Sequence, residues 1–250
     1  MEKSGKQEQG KNTFTDKKIF PVPYDLGEIQ ENIIISTSSK EQIISQAFKF
    51  HSEGNLIEAE KYYQYFINEG YSDPSVFSNY GIILKDMGKL KEADLLTRKA
   101  IEQKPSFSDA HYNHGIILDK LGRFKESELA YRKAIELKPT FSEAYLNLGS
   151  LIKNHGQLNE AKKLIQKAIE FNPDLIEAHL NLGIILKDLG NLKEAEISTR
   201  KAIELKPDFT DAYSNLGDIL KELGKLEEAE ISTRKAIELN PDLAEAHSNL

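Results

Sequence analysis

The 250-residue sequence has no cysteine, no tryptophan and only two methionines. Without cysteine there is no disulfide staple, no zinc–thiolate site and no thiol nucleophile, and the composition suits a cytoplasmic protein. No apolar run reaches the roughly 18 residues that a membrane-spanning helix requires, and the opening MEKSGKQEQGKNTFTDKK lacks the apolar stretch of a signal peptide. Excess positive charge is missing as well. A formal net charge of −7 predicts no affinity for nucleic acid or for a membrane surface. There is no glycine-rich phosphate loop, no H-E-x-x-H and no G-x-S-x-G. What is present is 39% hydrophobic and 29% charged, enough apolar side chain for a core beneath a soluble helical surface, in a length that fits one long domain or two ordinary ones.

The chain repeats itself. NLGIILKDLGNLKEAEISTRKAIELKPDF, beginning at Asn181, returns 34 residues later as NLGDILKELGKLEEAEISTRKAIELNPDL, beginning at Asn215. Glycines at 81, 115, 149, 183 and 217 keep that period, as do glycines at 88, 122, 156, 190 and 224, alanines at 100, 134, 168, 202 and 236, and prolines at 105, 139, 173, 207 and 241. Each period reads as two amphipathic helices. Tyr213, Leu216, Gly217 and Leu220 share one face of a first helix over about 211–223, which Gly224 ends through a left-handed turn. Leu226, Ala229, Thr233, Ala236 and Ile237 form the expected buried stripe of a second helix, stopped near Pro241. Gly217, in mid-helix, costs about 1 kcal/mol against alanine. Close approach of the neighbouring helix, with the small residues 229 and 236, is the expected return.

This pattern resembles the tetratricopeptide repeat (TPR), whose marker positions are met by Tyr145, Leu148, Gly149, Leu151, Ile152, Ala161, Ala168 and Pro173. The resemblance implies an all-α, right-handed superhelical solenoid of paired antiparallel helices. Repeats are expected near 40–73, 74–107, 108–141, 142–175, 176–209 and 210–243, with a partial copy at 244–250. The first copy diverges, with Phe66 in place of alanine and Tyr71 in place of proline, as terminal repeats do when one face meets solvent. The last fragment is too short to hold a helix alone. The chain is therefore expected to be part of a longer protein, or to self-associate through its uncapped last repeat. Residues 1–39 read as a disordered polar leader. That leader, with IFPVPYDLGEIQENIIISTSS, is similar to those of TPR proteins of marine cyanobacteria, whose arrays precede varied C-terminal domains.

Candidate chemistry is sparse. His111, His179 and His247 stand where other copies carry an aromatic and are expected to pack as one. His114 replaces a buried leucine or tyrosine, while His51 and His155 stand alone and are expected to be exposed. No metal site, cofactor or catalytic constellation is expected. Glu128, Glu196 and Glu230 each precede an arginine by four residues, which gives a solvated second-helix face.

One row stands apart. The sixth residue of each copy is asparagine: Asn79, Asn113, Asn147, Asn181, Asn215 and Asn249, although the first copy has Ser45 there. The ninth is Ile82, Ile116 or Ile184, with Ser150 and Asp218 as exceptions. The twelfth is lysine at 85, 153, 187 and 221, and the second is mostly acidic (Asp109, Glu143, Glu177, Asp211, Glu245). Acids in a first turn and lysines in a last turn suit the helix dipole. Asparagine is a mediocre helix former whose amide carries both a donor and an acceptor, as a peptide group does. Helices in one layer lie about 8–10 Å apart, roughly three residues of extended chain. Asn79, Asn113, Asn147, Asn181 and Asn215, with Ile82, Ile116, Ile184, Lys153, Lys187 and Lys221, are thus candidates to hold an extended peptide in the groove. The row resembles the asparagine ladder of the TPR arm of O-GlcNAc transferase. Inter-helix hydrogen bonding, general in TPRs at this position, is the other role open to it. The places that a carboxylate clamp fills with basic residues hold Ser75, Asp109, Glu143, Ser78, Tyr112 and Leu146, so that mode is not expected. The expected function is a protein-interaction scaffold for a protein or peptide ligand. The alternative is the substrate-recognition arm of a glycosyl-, methyl- or sulfotransferase whose catalytic domain lies beyond residue 250.

Overall fold

The computed structural model describes residues 39–241. The expectations for residues 1–38 of the 1–39 leader, for Glu245, His247 and Asn249 and for the 244–250 fragment lie outside them, while Ser39, the leader's last residue, caps the first helix. Among the described residues there are twelve α-helices and no strand, so the fold is all-α. Two compact units divide the chain, Met1–Gln103 and Lys104–Leu250.

The first unit holds α1 (Lys40–Ser52), α2 (Leu56–Asn68), α3 (Pro74–Asp86) and α4 (Leu90–Gln103). Ser39 starts α1 with a reciprocal capping box to Gln42, and Asp73 starts α3 by accepting from the Ser75 and Val76 N–H groups ahead of Pro74. The first copy's divergence turns Phe66 inward and leaves Tyr71 exposed. Tyr63 and Phe66 are fully buried. Tyr63 stacks on Tyr80 with ring centroids 5.6 Å apart, and Phe66 meets Tyr71 at 5.4 Å. Phe66 and Tyr71, which replace the usual alanine and proline, therefore pack against each other as a compensating pair.

The second unit holds α5 (Ser108–Lys120), α6 (Phe124–Leu137), α7 (Ser142–Asn154), α8 (Leu158–Phe171), α9 (Ile176–Asp188), α10 (Leu192–Leu205), α11 (Thr210–Glu222) and α12 (Leu226–Leu239). Each first helix packs on its own second helix, α7, α9 and α11 also pack on the second helix of the copy before, and these three adjoin in sequence. Here the first helices begin differently. Phe107, Phe141, Leu175 and Phe209 occupy the N-cap position without any side-chain cap bond. The missing cap forfeits about 1 kcal/mol. Burial offsets it: Phe141 is 5% exposed against Ala134 and Ala144, and Lys138 lies 4.1 Å over its ring. First helices stop at glycines with positive φ, as at Gly190 (φ +77°), where Asn191 N–H reaches back 2.8 Å to the Leu186 carbonyl.

The mid-helix glycines mark where two helices meet. A methyl on Gly149 would stand 2.7 Å from Ile165 Cδ1, and one on Gly217 2.6 Å from Thr233 Oγ1. At Gly183 it would strike Thr199 Oγ1 and lie 3.3 Å from the Ala195 carbonyl oxygen. The small residues at the crossing are fully buried alanines, Ala161 and Ala195. Leu226 departs from the predicted stripe, at 65% exposed. It is the first residue of α12, and helical side chains lean toward the N-terminus, which throws this one past the end of the packed face.

Candidate peptide-binding face

Asn113, Asn147, Asn181 and Asn215 fall on α5, α7, α9 and α11, and Asn79 falls on α3 of the other unit. All but Asn215 are half-buried, whereas Asn215 is buried at 8% exposure. Their amides are tied to the scaffold. Asn215 Nδ2 donates to Thr199 Oγ1 on α10 at 3.0 Å, and Asn147 Nδ2 donates to the Tyr112 hydroxyl on α5 at 3.2 Å. Asn181 Nδ2 donates to Ser150 Oγ on α7 at 3.2 Å. In the first unit Asn79 bonds the Tyr63 hydroxyl, which partly opposes the rise that burial imposes on that phenol's pKa. Asn147 acts likewise on buried Tyr131.

A rule of position links several of these residues, although Asn147 gives its bond to Tyr112, 35 residues earlier on a first helix. Tyr63, Tyr131 and Thr199 each stand sixteen residues before an asparagine. Ile165 holds the same place before Asn181 and offers no acceptor, and there the amide turns to Ser150 instead. Ser150 was an exception in the isoleucine row, and its hydroxyl supplies what Ile165 lacks. The sequence signal was a hydroxyl row on the second helices, hidden because tyrosine and threonine share the duty. Inter-helix bonding thus uses one of the two N–H donors of each amide. The Oδ1 atoms of Asn147, Asn181 and Asn215 have no hydrogen-bond partner among the described residues.

The neighbouring rows are less uniform. Ile82, Ile116 and Ile184 are half-buried, the first in the other unit from the remaining two. Ser150 Oγ donates to the Leu146 carbonyl on its own helix. Asp218 takes Lys187 in an ion pair at 3.3 Å. Half-buried Lys153 and exposed Lys221 have no ion pair among the described residues.

On the second helices the predicted four-residue pairs form, Arg132 with Glu128, Arg200 with Glu196 and Arg234 with Glu230. Two arginines also reach the next second helix, Arg132 to Glu160 at 2.6 Å and Arg200 to Glu228 at 2.7 Å. Lys225 closes on Glu196 at 2.8 Å. Hydrogen bonding first to Lys225 and then to Arg200 holds the Glu196 carboxyl below its ordinary range, although burial works against it.

The histidines pack and bond. His111 and His179 replace aromatics, and each places Nε2 on a proline carbonyl six residues earlier, at 2.9 and 2.8 Å. His114 is half-buried on α5 and His155 is exposed. His51, expected at the surface, is half-buried, with Nδ1 3.3 Å from the Tyr63 hydroxyl. Burial lowers its pKa, against a weaker upward pull from Asp86. Among the described residues no three metal-ligating side chains come together, and no helix is long and apolar enough to cross a membrane.

Models of the tetratricopeptide repeat match residues 108–141, 130–163, 176–209 and 210–243. No curated protein is significantly similar to the chain. Many solved structures are. One is YrrB, "a TPR protein with an unusual peptide-binding site", which is 26% identical with a TM-score of 0.61 over 74% of this chain and 96% of that one. MamA from Desulfovibrio magneticus RS-1 is 19% identical with a TM-score of 0.61, covering 68% of this chain and 97% of its own. PilF of Pseudomonas aeruginosa is 16% identical with a TM-score of 0.75, covering 84% and 95%. The last two bear on the fold alone. Period, helix pairing and these likenesses agree: the chain carries tetratricopeptide repeats and has the all-α TPR solenoid fold.

Proposed function

We propose that the chain is a scaffold that holds an extended segment of a partner protein along its first helices, with Asn147, Asn181 and Asn215 as successive rungs. TPR arrays are protein-interaction scaffolds, and the similar YrrB is described by its peptide-binding site. The observation that carries the reading is the state of the amides. Each of the three spends one N–H on a neighbouring hydroxyl and keeps an acceptor without a partner. Such a row accepts from peptide N–H groups through its Oδ1 atoms, and each amide retains a second N–H beyond the one spent on that hydroxyl. At about 0.5–1.5 kcal/mol per bond, three rungs supply a few kcal/mol before the cost of ordering the ligand. Ile116 and Ile184 give the same segment apolar contact, and Asn113 would extend the row by one rung.

The test is a peptide selected from a random library on the full chain. Changing Asn147, Asn181 and Asn215 together to alanine should keep the helical circular dichroism and weaken that peptide at least ten-fold. An unchanged affinity would sink the ladder.

A further inference from the structure

We infer that the segment this face takes carries two acidic side chains six residues apart with a basic one midway. The inference rests on the ladder reading above and adds the ligand's charge pattern to it. Three observations within the second unit support it. Lys153 on α7 and Lys221 on α11 have no ion pair among the described residues, whereas Lys187 on α9, between them, is neutralised by Asp218. At the opposite end of the same helices runs the acidic row, and its member on α9, Glu177, is exposed and without an ion pair. Neighbouring first helices are joined directly, Asn181 to Ser150 and Lys187 to Asp218, so the rungs are consecutive.

Geometry converts this into a sequence. Adjacent helices stand about 8–10 Å apart, which an extended chain spans in about three residues at ~3.3 Å each. Side chains of an extended chain alternate in direction. A step of three reverses the side chain, and a step of six restores it. A ligand side chain aimed at the lysine edge beside α7 is matched by another aimed at that edge beside α11. The one beside α9 points to the acidic edge, at Glu177. The lysine that no ligand side chain faces in this register is the one that Asp218 discharges.

The probe is a fluorescein-labelled serine–threonine peptide with glutamates six residues apart and lysine midway, compared by anisotropy on the full chain with its isomer carrying the glutamates three apart. The six-spaced peptide should bind about five-fold or more tightly, and added salt should narrow that gap. Lys153→Gln or Lys221→Gln should each weaken it. Equal binding of the isomers, sensitive to the triple asparagine variant, would overturn the charge pattern and leave the ladder standing. Binding of neither peptide, or binding that ignores the triple variant, would overturn the ladder and this inference with it.

Discussion

At the scale of single residues, the asparagine amide and its hydroxyl partner decide what the groove presents. Thr199→Val keeps the shape and removes the acceptor, leaving the buried Asn215 donor unmet. A loss of about 1–3 kcal/mol is expected, read as a lower urea midpoint at constant m-value. The crossing at Gly183 gives a second expectation. Gly183→Ala gains about 1 kcal/mol of helix propensity but drives a methyl into Thr199 Oγ1, beside the Ala195 carbonyl. Overpacking of this kind costs roughly 1–3 kcal/mol, and a β-branched side chain at a buried crossing has nowhere to turn. Net destabilisation is expected, and Thr199→Ala in the same chain should recover part of it. If Gly183→Ala alone raises stability, the close approach at this crossing is not what retains glycine.

At the scale of helices and their pairs, titration is the sharper probe. Lys225 and Arg200 hold Glu196 below the ordinary carboxylate range, so the folded protein binds that proton less readily than the unfolded chain. The link between α10 and α12 therefore stabilises above the unfolded value near pH 4.3 and fades as pH falls through the lower folded value. Urea midpoints of the native chain and Glu196→Gln should differ at pH 7 and converge in acid. His51 titrates in a higher window. Burial depresses its folded pKa, so α1 and α2 are stabilised above the unfolded value near pH 6.5 and lose that contribution as pH drops through the folded one. A His51 imidazole resonance that titrates at or above pH 6.5 would contradict this. Much at this scale was legible beforehand, because the helix pairs, the glycine stops and the four-residue ion pairs all lie within one copy. What crosses from copy to copy was not. The second legs of Arg132 and Arg200, each to a glutamate 28 residues on, and the Ser150 substitute join residues of different copies, which the pattern within one copy does not announce.

At the scale of the molecule, each copy meets mainly its neighbours, so stability should be nearly a sum over copies and interfaces. Excising residues 176–209 should leave a helical protein, since residues 210–243 present almost the same sequence to α8. Circular dichroism per residue should hold, and collapse of the helical signal would contradict the additive picture. The excision has a local cost as well. Asn215 would then stand sixteen residues after Ile165 and would have to exchange Thr199 for Ser150, the hydroxyl that Asn181 now uses. This bears on how such arrays are cut and joined. The stretch that sets the Asn215 rung begins in α10 and ends in α11. A graft made at the usual repeat boundary separates this asparagine from the group that aims it. A graft made in the glycine turn at Gly190 moves the amide together with its hydroxyl, whereas one at Gly156 would part Asn181 from Ser150. The exchangeable part around Asn215 is thus offset by half a repeat from the part that the sequence period displays.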